Sequence, residues 1–487
     1  MKSIVYPPKP PAPDQVNQRR WEHTALRRRL MTGLWDQDLE DALHAHLPNE
    51  RRAAWGVADM SSNVLEQVTR QLAMLYHEQP TISHKEDIEP LISREGYLMT
   101  AGLFPLMQRV QQFAIALREV VLRVDVIGGL PNKPVKKKGL QFRLVTPDFV
   151  YCESHPDSPD EPVLFQEYRL RYDKETDEYN WVVDSFDIRD ENNPKFCLFA
   201  VSSDGQLGQD VTKKYLGIDS LYGPSYPYKS KEGIPFLPIQ IYRAEKTGEL
   251  WNAFDAKTLT MGSLNSSVLF SFYLHLVRDC AWAQKYVAGL HLAGQNQLDQ
   301  DLVSRRAAIS TDPSSILVFT PDPDINTQPL IGTFEPSADP EKLLESIAKY
   351  EYRVATSAGI SSEVLRQSGD PRSGYALSIS REGQRESQRK FAPLYRMLDE
   401  SLMSICGMLC NIFLGESLPE TGYRVQYQQL RLSPEEMKAI REDVIQKLNA
   451  GLISPVDAIM LLNADLDELE ARNELERIRK ERLEFSV

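Results

Sequence analysis

The pattern of apolar and polar residues is most regular between residues 339 and 413, where it predicts two helices joined by a polar connector. In the first helix the apolar side chains recur every three or four residues and share one face; they are Leu343, Ile347, Tyr350, Val354 and Ala358. Asp339 is expected to cap this helix, with Pro340 at its first position. Gly359 is expected to end it.

A second and longer helix is predicted from Gly374 to Phe413. Its apolar face comprises Phe391, Leu394, Leu398, Leu402, Ile405, Leu409 and Ile412. Pro393 falls inside this face, removes one backbone hydrogen bond and predicts a kink. A helix of about forty residues far exceeds the three or four turns that are typical of globular domains. We therefore expect something other than the core of a compact monomer to hold it.

The connector between these helices, residues 360 to 373, is polar and rich in turn formers. It contains the run Arg366, Gln367, Ser368, Gly369, Asp370, Pro371 and Arg372. Because such a segment does not pack in a core, we expect it to be exposed.

The N-terminal part of the chain combines helical patterns with a following region of strands. Residues 16 to 32 carry five arginines beside Trp21 and Leu26, which indicates a basic amphipathic helix. Its arginines could form a solvated face or contact a partner or DNA. Further helices are predicted at 61 to 76, with Ser61 or Ser62 as the cap, and at 97 to 120.

The pattern changes period after residue 120. Short runs rich in β-branched and aromatic residues are separated by turn residues, at 122–127, 140–146, 163–171, 180–186, 196–201 and 234–242. They predict a mixed, mostly antiparallel β domain from about 122 to 243.

The chain then returns to helix and ends in helix. A long helix is predicted at 254 to 284, followed by strands at 286–292 and 316–319 around a helix at 298–309. The chain thus goes out along one helix, forms a small α/β tip and comes back along another. C-terminal helices are predicted to start at Ser433 and Ser454, and a charged one spans 466 to 483.

Composition limits the classes of function. The 487 residues suffice for two to four domains, and the formal net charge of −13 argues against a tight grip on nucleic acid, although a loose, sliding contact remains allowed. The five cysteines form no CxxC pair and are interpreted as reduced, structural thiols. No secretory signal is recognised in residues 1 to 13. The apolar runs 264–277 and 402–414 are too short to span a bilayer, so no membrane contact is expected.

No catalytic or metal-binding motif is recognised. The GxxxxGK[ST], HExxH and GxSxG patterns and paired Cys/His spacings do not occur in the sequence, so we expect no enzyme activity, no cofactor and no metal. An enzyme with an unrecognised site in the β domain stays open as the alternative. Arg381, Arg385 and Arg389 recur every four residues beside Glu382 and Glu386. They form either a ladder of intrahelical ion pairs or a stripe that faces DNA or a neighbouring subunit.

Two passages resemble a known family. Residues Ala355-Thr356-Ser357-Ala358-Gly359-Ile360-Ser361, followed by Arg372-Ser373-Gly374-Tyr375-Ala376-Leu377, look like the "helix, small-residue turn, Ser-Gly-x-Ala-Leu, long helix" passage of the portal proteins of tailed double-stranded DNA bacteriophages. The early helix and loop at 63–80 and the C-terminal helices at 451–474 are also similar. The resemblance covers nearly the whole chain.

The resemblance implies an α+β, multidomain, phage-portal-like fold. An N-terminal arm and wing would occupy residues 1–250, with stem helices at 251–284 and 339–359 around a small α/β clip at 285–338. A tunnel loop would follow at 360–373, a long kinked wing helix at 374–422 and a helical crown at 423–487.

The resemblance also implies a function. Portal proteins form a ring, usually of twelve subunits, at one capsid vertex of the virion, and double-stranded DNA passes through the ring during packaging and ejection. Implied partners are the terminase large subunit at the clip, head-completion or adaptor proteins, and the major capsid and scaffolding proteins, with synthesis in the host bacterial cytoplasm. Another structural virion ring is a further alternative.

Carried onto this chain, the resemblance assigns site residues. Arg366, Gln367, Ser368 and Arg372 of the tunnel loop would face DNA, and Lys257, Arg278 and Lys342 would belong to the stem. Whether the loop arginines contact DNA or a neighbouring subunit stays open.

Overall fold

The structure, a computed structural model, describes residues 10–46, 60–128, 138–251, 257–281, 284–288, 290–292, 319–321, 330–334, 338–357, 374–428, 434–462 and 468–484. Within these residues the chain is an α+β protein with several sheets. Its main helices are Gln15–Thr32, Asp36–His46, Val64–Leu72, Leu103–Leu117, Lys257–Ala281, Pro340–Ser357, Gly374–Leu409, Pro434–Asn449, Pro455–Leu462 and Glu468–Glu484, with single turns at Glu89–Ile92, Tyr97–Thr100 and Thr212–Leu216.

Two antiparallel sheets occupy the region where the change of period predicted strands. The smaller one has the order β10-β2-β3 and consists of Glu119–Ile127 (β2), Gly139–Val145 (β3) and Ile239–Arg243 (β10). The larger one has the order β4-β5-β6-β7-β8 and consists of Val150–Ser154 (β4), Pro162–Asp173 (β5), Glu178–Asp187 (β6), Lys195–Val201 (β7) and Leu207–Asp210 (β8), with Leu221–Tyr222 (β9) paired to β7. The predicted antiparallel pairing of these strands is confirmed.

A buried ion network joins the two sheets. The guanidinium of Arg123 on β2 donates to Glu167 on β5 at 2.7 Å and to Asp184 on β6 at 2.9 Å. Arg143 on β3 also reaches Glu167, at 2.8 Å, and Arg171 reaches Asp184, at 2.7 Å. Burial would raise the pKa of Asp184, yet Arg123, Arg171 and Arg169 hold that pKa well below its usual value. The Asp184 carboxylate is therefore ionised, and the network fixes the packing of one sheet on the other.

The N-terminal basic helix packs into the protein, which corrects both interpretations offered for it. Arg20 and Arg27 are buried, and Arg20 donates to the carbonyl of Val150 while its guanidinium lies 4.2 Å from the ring centre of Trp251. Two further arginines of this helix form ion pairs, Arg28 with Asp148 and Arg29 with Asp38. Four of its five arginines are thus used inside the chain, and only Arg19 is fully exposed.

The helix Gly374–Leu409, called the long helix below, ends in a π-helical turn at Cys410–Leu414. Its predicted apolar face is largely buried in the main core, at Phe391, Leu398, Leu402, Ile405 and Leu409. The expectation that something beyond the monomer's core must hold this helix is therefore wrong from Phe391 onward. The helix runs unbroken through Pro393, whose side chain is exposed and does not join the buried face.

Some helices begin or end at other residues than predicted, because local capping residues determine their ends. The helix expected at 61–76 covers Val64–Leu72, and its cap is Asn63, whose side chain accepts a hydrogen bond from the backbone N–H of Glu66. The helix expected at 97–120 is interrupted at Gly102, which has a left-handed backbone conformation with φ of +68°. The predicted helix start at Ser454 is confirmed, because Ser454 and Asp457 exchange hydrogen bonds as a capping box does.

The segment Gln384–Leu414 is long and apolar enough, by length and composition alone, to cross a membrane. Half of its most apolar window is buried inside the protein, and the core helix of a soluble protein passes the same test. Residues 402–414 alone are too short to span a bilayer, but the apolar helical segment that contains them is longer. That the chain makes no membrane contact stays a prediction.

Candidate functional site

Two antiparallel helices pack on each other and on the N-terminal helices. They are Lys257–Ala281, called the outgoing helix, and Pro340–Ser357, called the returning helix. Along the outgoing helix, Gly262 lies against Val354, whereas Ser266, one turn later, donates to Glu351 at 2.6 Å. The partner number falls as the residue number rises, so the two helices run in opposite directions.

Small residues bring the two helices together. A Cβ atom on Gly262 would lie 2.5 Å from Cγ1 of Val354, which leaves no room for any larger residue. The buried hydroxyls of the outgoing helix are satisfied locally, since Ser263 donates to the carbonyl of Leu259 and Ser271 to that of Ser267, each at 2.9 Å.

The base of this helical pair is fixed to the N-terminal helices. Ser263 Oγ accepts a hydrogen bond from the backbone N–H of Leu65 at 2.8 Å. Ser62 Oγ donates to the Glu351 carboxylate and also lies 3.0 Å from Ser266 Oγ. The helix pair is therefore rigidly attached.

Beyond the helices the same antiparallel course continues in two strand pairs. Gln284–Ala288 (β11) pairs with Leu330–Phe334 (β14), and Leu290–Leu292 (β12) pairs with Phe319–Pro321 (β13). The strand pairs are therefore antiparallel, as the two helices are. The described residues confirm that the two predicted helices run antiparallel and that strands pair between them in the chain. The small α/β tip stays a prediction, and the helix expected at 298–309 lies outside the described residues.

Both helices leave apolar side chains exposed in the single chain. These residues are Met261, Leu274 and Val277 on the outgoing helix and Leu344 and Tyr352 on the returning helix. These side chains are uncovered in the single chain and are the apolar surface that a further protein contact on the helix pair would bury.

The predicted stem residues are all exposed but do not meet at one place. Lys257 begins the outgoing helix at its attached end, whereas Arg278 lies in its last turn. Lys342 lies in the first turn of the returning helix and pairs with Asp339 at 3.5 Å. The antiparallel arrangement brings Arg278 and Lys342 to the end that carries the strands and leaves Lys257 at the opposite end.

The predicted arginine stripe of the long helix is described only in part. Arg385 is half-buried, Arg389 is exposed, and the side chain of Arg381 lies outside the described residues. Between the first two, Ser387 donates to the carbonyl of Leu72 and Gln388 to that of Gln428. The choice between an ion-pair ladder and a contact stripe stays open, and the loop residues Arg366, Gln367, Ser368 and Arg372 lie outside the described residues.

A buried carboxylate on the long helix gathers three tyrosines, and no sequence pattern indicated it. Asp399 accepts a hydrogen bond from the hydroxyl of Tyr242 at 2.7 Å, from that of Tyr427 at 2.7 Å and, at 2.9 Å to each oxygen, from that of Tyr76. The ring of Tyr395 packs against those of Tyr76 and Tyr242. The donors come from positions far apart in the chain, which is why spacing could not reveal the cluster.

Burial sets the acidity of this cluster. It raises the pKa of Asp399 to about 6, although the three tyrosine hydrogen bonds act in the opposite direction. Burial and the nearby Asp399 charge raise the pKa of Tyr76 and Tyr242 well above the ordinary value. The tyrosines are therefore permanent donors, and Asp399 is the group of this cluster that changes charge near neutral pH.

Two separate spaces lie near Asp399, an open cleft at the surface and a small cavity. The cleft has a volume of about 330 Å³ and lies between residues 76–80 and residues 99–105. The cavity has a volume of about 10 Å³ and is lined by Tyr76, Leu103, Met107, Asp399 and Leu402 among others. The cavity is of the order of one water molecule in size, and both spaces share Tyr76, Pro80, Leu103 and Phe104.

Comparison with known proteins adds little to this geometry. No family model matches the chain, and no curated protein matches it. One similar solved structure is described as "Neck of native GTA particle computed with C12 symmetry", with 11% sequence identity, a TM-score of 0.39, and coverage of 82% of this chain and 90% of that one. A likeness with so low a TM-score does not establish a fold or a function for this chain.

The described residues contain no group of three or more His, Cys, Asp or Glu side chains placed to hold a metal ion. Cys406 of the long helix and Cys410 of the π-helical turn are buried in the main core, as predicted, and burial raises the pKa of both thiols. The described part of the chain thus offers a helix pair with exposed apolar side chains and a buried ionisable cluster.

Proposed function

We propose that this chain is the subunit of a portal ring, a non-enzymatic conduit for double-stranded DNA at one capsid vertex. The observation that carries the proposal is the antiparallel helix pair within residues Lys257 to Ser357. The outgoing and returning helices are attached to the N-terminal helices, and each carries exposed apolar residues. Paired strands lie between them in the chain.

Repetition of the subunit around an axis explains the exposed apolar residues. The outgoing helix has 25 residues and is about 37 Å long. Such a rod cannot bury all its sides against one partner helix, whereas neighbouring copies in a closed ring cover the remaining sides in every subunit. The two passages that resemble portal proteins flank the end of the returning helix and the start of the long helix.

The net charge of −13 is compatible with transport of DNA rather than tight binding. Each phosphate that a protein neutralises adds affinity through release of counterions. A mostly acidic subunit with a few arginines on an exposed loop can guide DNA without holding it. Arg366 and Arg372 are the proposed contacts, with Gln367 and Ser368 beside them.

Parts of the subunit take the roles that the resemblance implies. In this proposal residues 1–250 form the wing, the outgoing and returning helices form the stem, and residues 285–338 form the clip. The clip would dock the terminase large subunit and adaptor proteins, the wing would meet capsid and scaffolding proteins, and residues 423–487 would form the crown. The ring would have about twelve copies and lie in the virion.

Measurement of the assembly tests this proposal. We expect the purified chain to form particles of several hundred kilodaltons in native mass spectrometry, with an axial hole in negative-stain images. Leu274→Glu and Tyr352→Glu place a charge on the exposed apolar residues of the two rods and should shift the particles toward single subunits, because a buried unpaired charge is costly.

Ser346→Glu is the matched control, since it adds the same charge at an exposed polar position of the returning helix. It should leave the ring intact if only the apolar sides meet. A single species of 55.5 kDa at every concentration tested would contradict the proposal and return attention to a monomeric enzyme.

A further inference from the structure

Residues 10–14 of the chain are held against the larger sheet. Asp14 caps the first helix, and its carboxylate accepts a hydrogen bond from that helix at 2.8 Å. Ala12 packs on the apolar cluster that includes Trp21 and Tyr168, and Pro10 is buried. The position of this stretch therefore fixes the place on the sheet from which the preceding residues of the chain must extend.

This stretch passes the turn between β7 and β8. Gly205 lies in that turn and has a left-handed backbone conformation, with φ of +84°. A Cβ atom on Gly205 would collide with the carbonyl of Ala12 and come within 3.2 Å of the carbonyl carbon of Pro11. The lack of a side chain at Gly205 allows this close approach, and β8 begins two residues later, at Leu207.

The strand β8 is an open edge of the larger sheet. All four of its residues are exposed, and Leu207 is 41% exposed. It pairs with β7 on one side, and among the described residues no strand pairs with its other side. At the opposite edge of the sheet, the carbonyl of Val150 on β4 accepts hydrogen bonds from Arg20 and Trp21. An uncovered strand edge is a template for pairing with another strand, and β8 is such an edge.

The sequence before Pro10 combines a run suited to strand pairing with a stiff spacer. Residues 3–6 read Ser-Ile-Val-Tyr, and β-branched and aromatic residues favour strands. Residues 7–13 contain five prolines, which lack a backbone N–H and favour the extended polyproline II conformation. We call residues 3–6 the pairing segment and residues 7–13 the proline segment.

The length of the proline segment separates the pairing segment from β8 of the same chain. Tyr6 precedes Pro11 by five residues, about 15 Å in the polyproline II conformation. The four residues of β8 extend about 13 Å from the turn that Pro11 contacts. If the proline segment follows β8, prolines without N–H groups lie opposite the strand and the pairing segment lies past its end. If the proline segment leaves β8, the pairing segment lies farther away still.

We propose that residues 3–6 of one subunit add as a strand to the outer edge of β8 in a neighbouring copy of this chain. The inference rests on the proposed ring, in which every subunit has one pairing segment to give and one β8 edge to receive it, so that closure leaves none unused. Backbone hydrogen bonds supply the contact, as they do when an extended peptide adds to a sheet edge. This contact between subunits is separate from the one made by the outgoing and returning helices.

Cysteine crosslinking of the purified full-length chain tests which copy the pairing segment reaches. Val5→Cys and Gln209→Cys are combined with Cys280→Ser, because Cys280 is exposed and the other four native cysteines are buried. After treatment with a short bismaleimide, we expect covalent chains of two, three and more subunits on denaturing gels, because each pairing segment joins the next copy.

A second cysteine pair is the matched control. Val5→Cys with Glu191→Cys, again in the Cys280→Ser background, places the acceptor thiol at an exposed position between β6 and β7. That turn lies at the other end of β7 from Gly205, so the covalent chains should not form. Equal crosslinking of both pairs would show unspecific contact and overturn the proposal.

Hydrogen exchange measures the pairing without a crosslink. Val5→Pro removes an N–H group inside the pairing segment, whereas Lys2→Pro places the same residue outside it. We expect amide protection of residues 207–210 to fall about tenfold in Val5→Pro, because hydrogen bonds at the β8 edge are lost, and to stay at the wild-type value in Lys2→Pro. Unchanged protection in Val5→Pro would contradict the pairing.

Native mass spectrometry of the same samples separates this inference from the proposed function. Rings in which Val5→Cys and Gln209→Cys give no crosslink, or a crosslink confined to single subunits, would overturn the strand exchange and leave the proposed ring standing. Single subunits at every concentration tested would overturn both.

Discussion

Gly262 of the outgoing helix lies in contact with Val354 of the returning helix, where a Cβ atom would approach Cγ1 of the valine to 2.5 Å and its Cγ2 to 2.7 Å. The absence of a side chain at Gly262 sets how closely the outgoing and returning helices can approach each other. Because the hydrogen bond from Ser266 to Glu351 follows one turn later, the same approach also positions the polar contacts at the base.

Gly262→Ala should therefore destabilise the protein. Overpacking a close helix contact costs about 1–3 kcal/mol, whereas the gain in helix propensity from glycine to alanine returns about 1 kcal/mol. We expect a net loss of up to about 2 kcal/mol in the free energy of unfolding, measured with urea. Adding Val354→Ala removes the opposing methyl groups, so the double variant should lose less stability than the sum of the single variants. Simple additivity would show that the two residues do not limit the approach.

Replacing Arg123 should show how much the buried ion network contributes to the free energy of unfolding. Arg123→Met leaves Glu167 and Asp184 buried without their central partner, and breaking such a pair on one side costs about 3–5 kcal/mol. Arg189, which pairs with Asp187 and Glu153 at the surface, offers the control, since Arg189→Met should cost at most about 1 kcal/mol. The folded pKa of Asp184 is depressed, so its stabilising contribution is present above about pH 4 and lost as the pH falls further. Equal losses in both variants would contradict a structural role for the network.

Adjacent arginines of the N-terminal helix should behave differently. Arg20 is buried, donates to Val150 and lies over Trp251, whereas Arg19 is exposed. Arg20→Ala should lower the free energy of unfolding by about 1.5–3 kcal/mol through the lost charged hydrogen bonds, and Arg19→Ala should change it by less than about 0.5 kcal/mol. Thermal and urea unfolding of both variants measure the difference. If the two losses were similar, the helix would not be anchored as the structure shows.

Asp399 should give the protein an unusual dependence on pH. Its folded pKa of about 6 lies above the ordinary aspartate value of 3.8, so protonation favours the folded state. The stability it contributes is fully present below about pH 4 and is lost as the pH rises through about 6. A shift of this size corresponds to at most about 3 kcal/mol between pH 4 and pH 8. Urea titrations at a series of pH values should show this component in the wild type and its loss in Asp399→Asn, and a wild type without it would contradict the raised pKa.

Local sequence patterns predicted those elements whose cause is local. The strands β2, β3, β5, β6 and β7 begin and end within three residues of the predicted runs, because alternation and turn residues act over a few positions. The two rods were likewise predicted from spacing and caps. The short strands β4 and β8 were missed, since their pairing depends on neighbours and their own sequences show no distinct alternation.

Long-range partners could not be read from the chain. Five arginines within residues 16–32 indicated an exposed basic face, yet Arg20 and Arg27 find acceptors more than eighty residues away. Asp399 looked like one of many polar positions on a helix, and its donors lie up to 323 residues away. Charged residues are normally placed on the surface by pattern alone, and only the folded chain shows which of them are paired inside.

The loop arginines provide the test closest to the proposed function. If Arg366 and Arg372 touch the phosphates of moving DNA, replacing both with alanine should reduce the yield or the length of packaged DNA, because two cationic contacts are lost. Ring assembly should remain, since the proposed contacts between subunits are made by the exposed apolar residues of the outgoing and returning helices. Replacing both with lysine keeps the charge and should preserve most packaging, whereas arginines that pair with a neighbouring subunit through a bidentate geometry would not tolerate lysine. Packaging assays in particles separate these cases, and the mass of the purified ring serves as the control. Unchanged DNA length and yield in the alanine variant would show that the loop does not guide DNA.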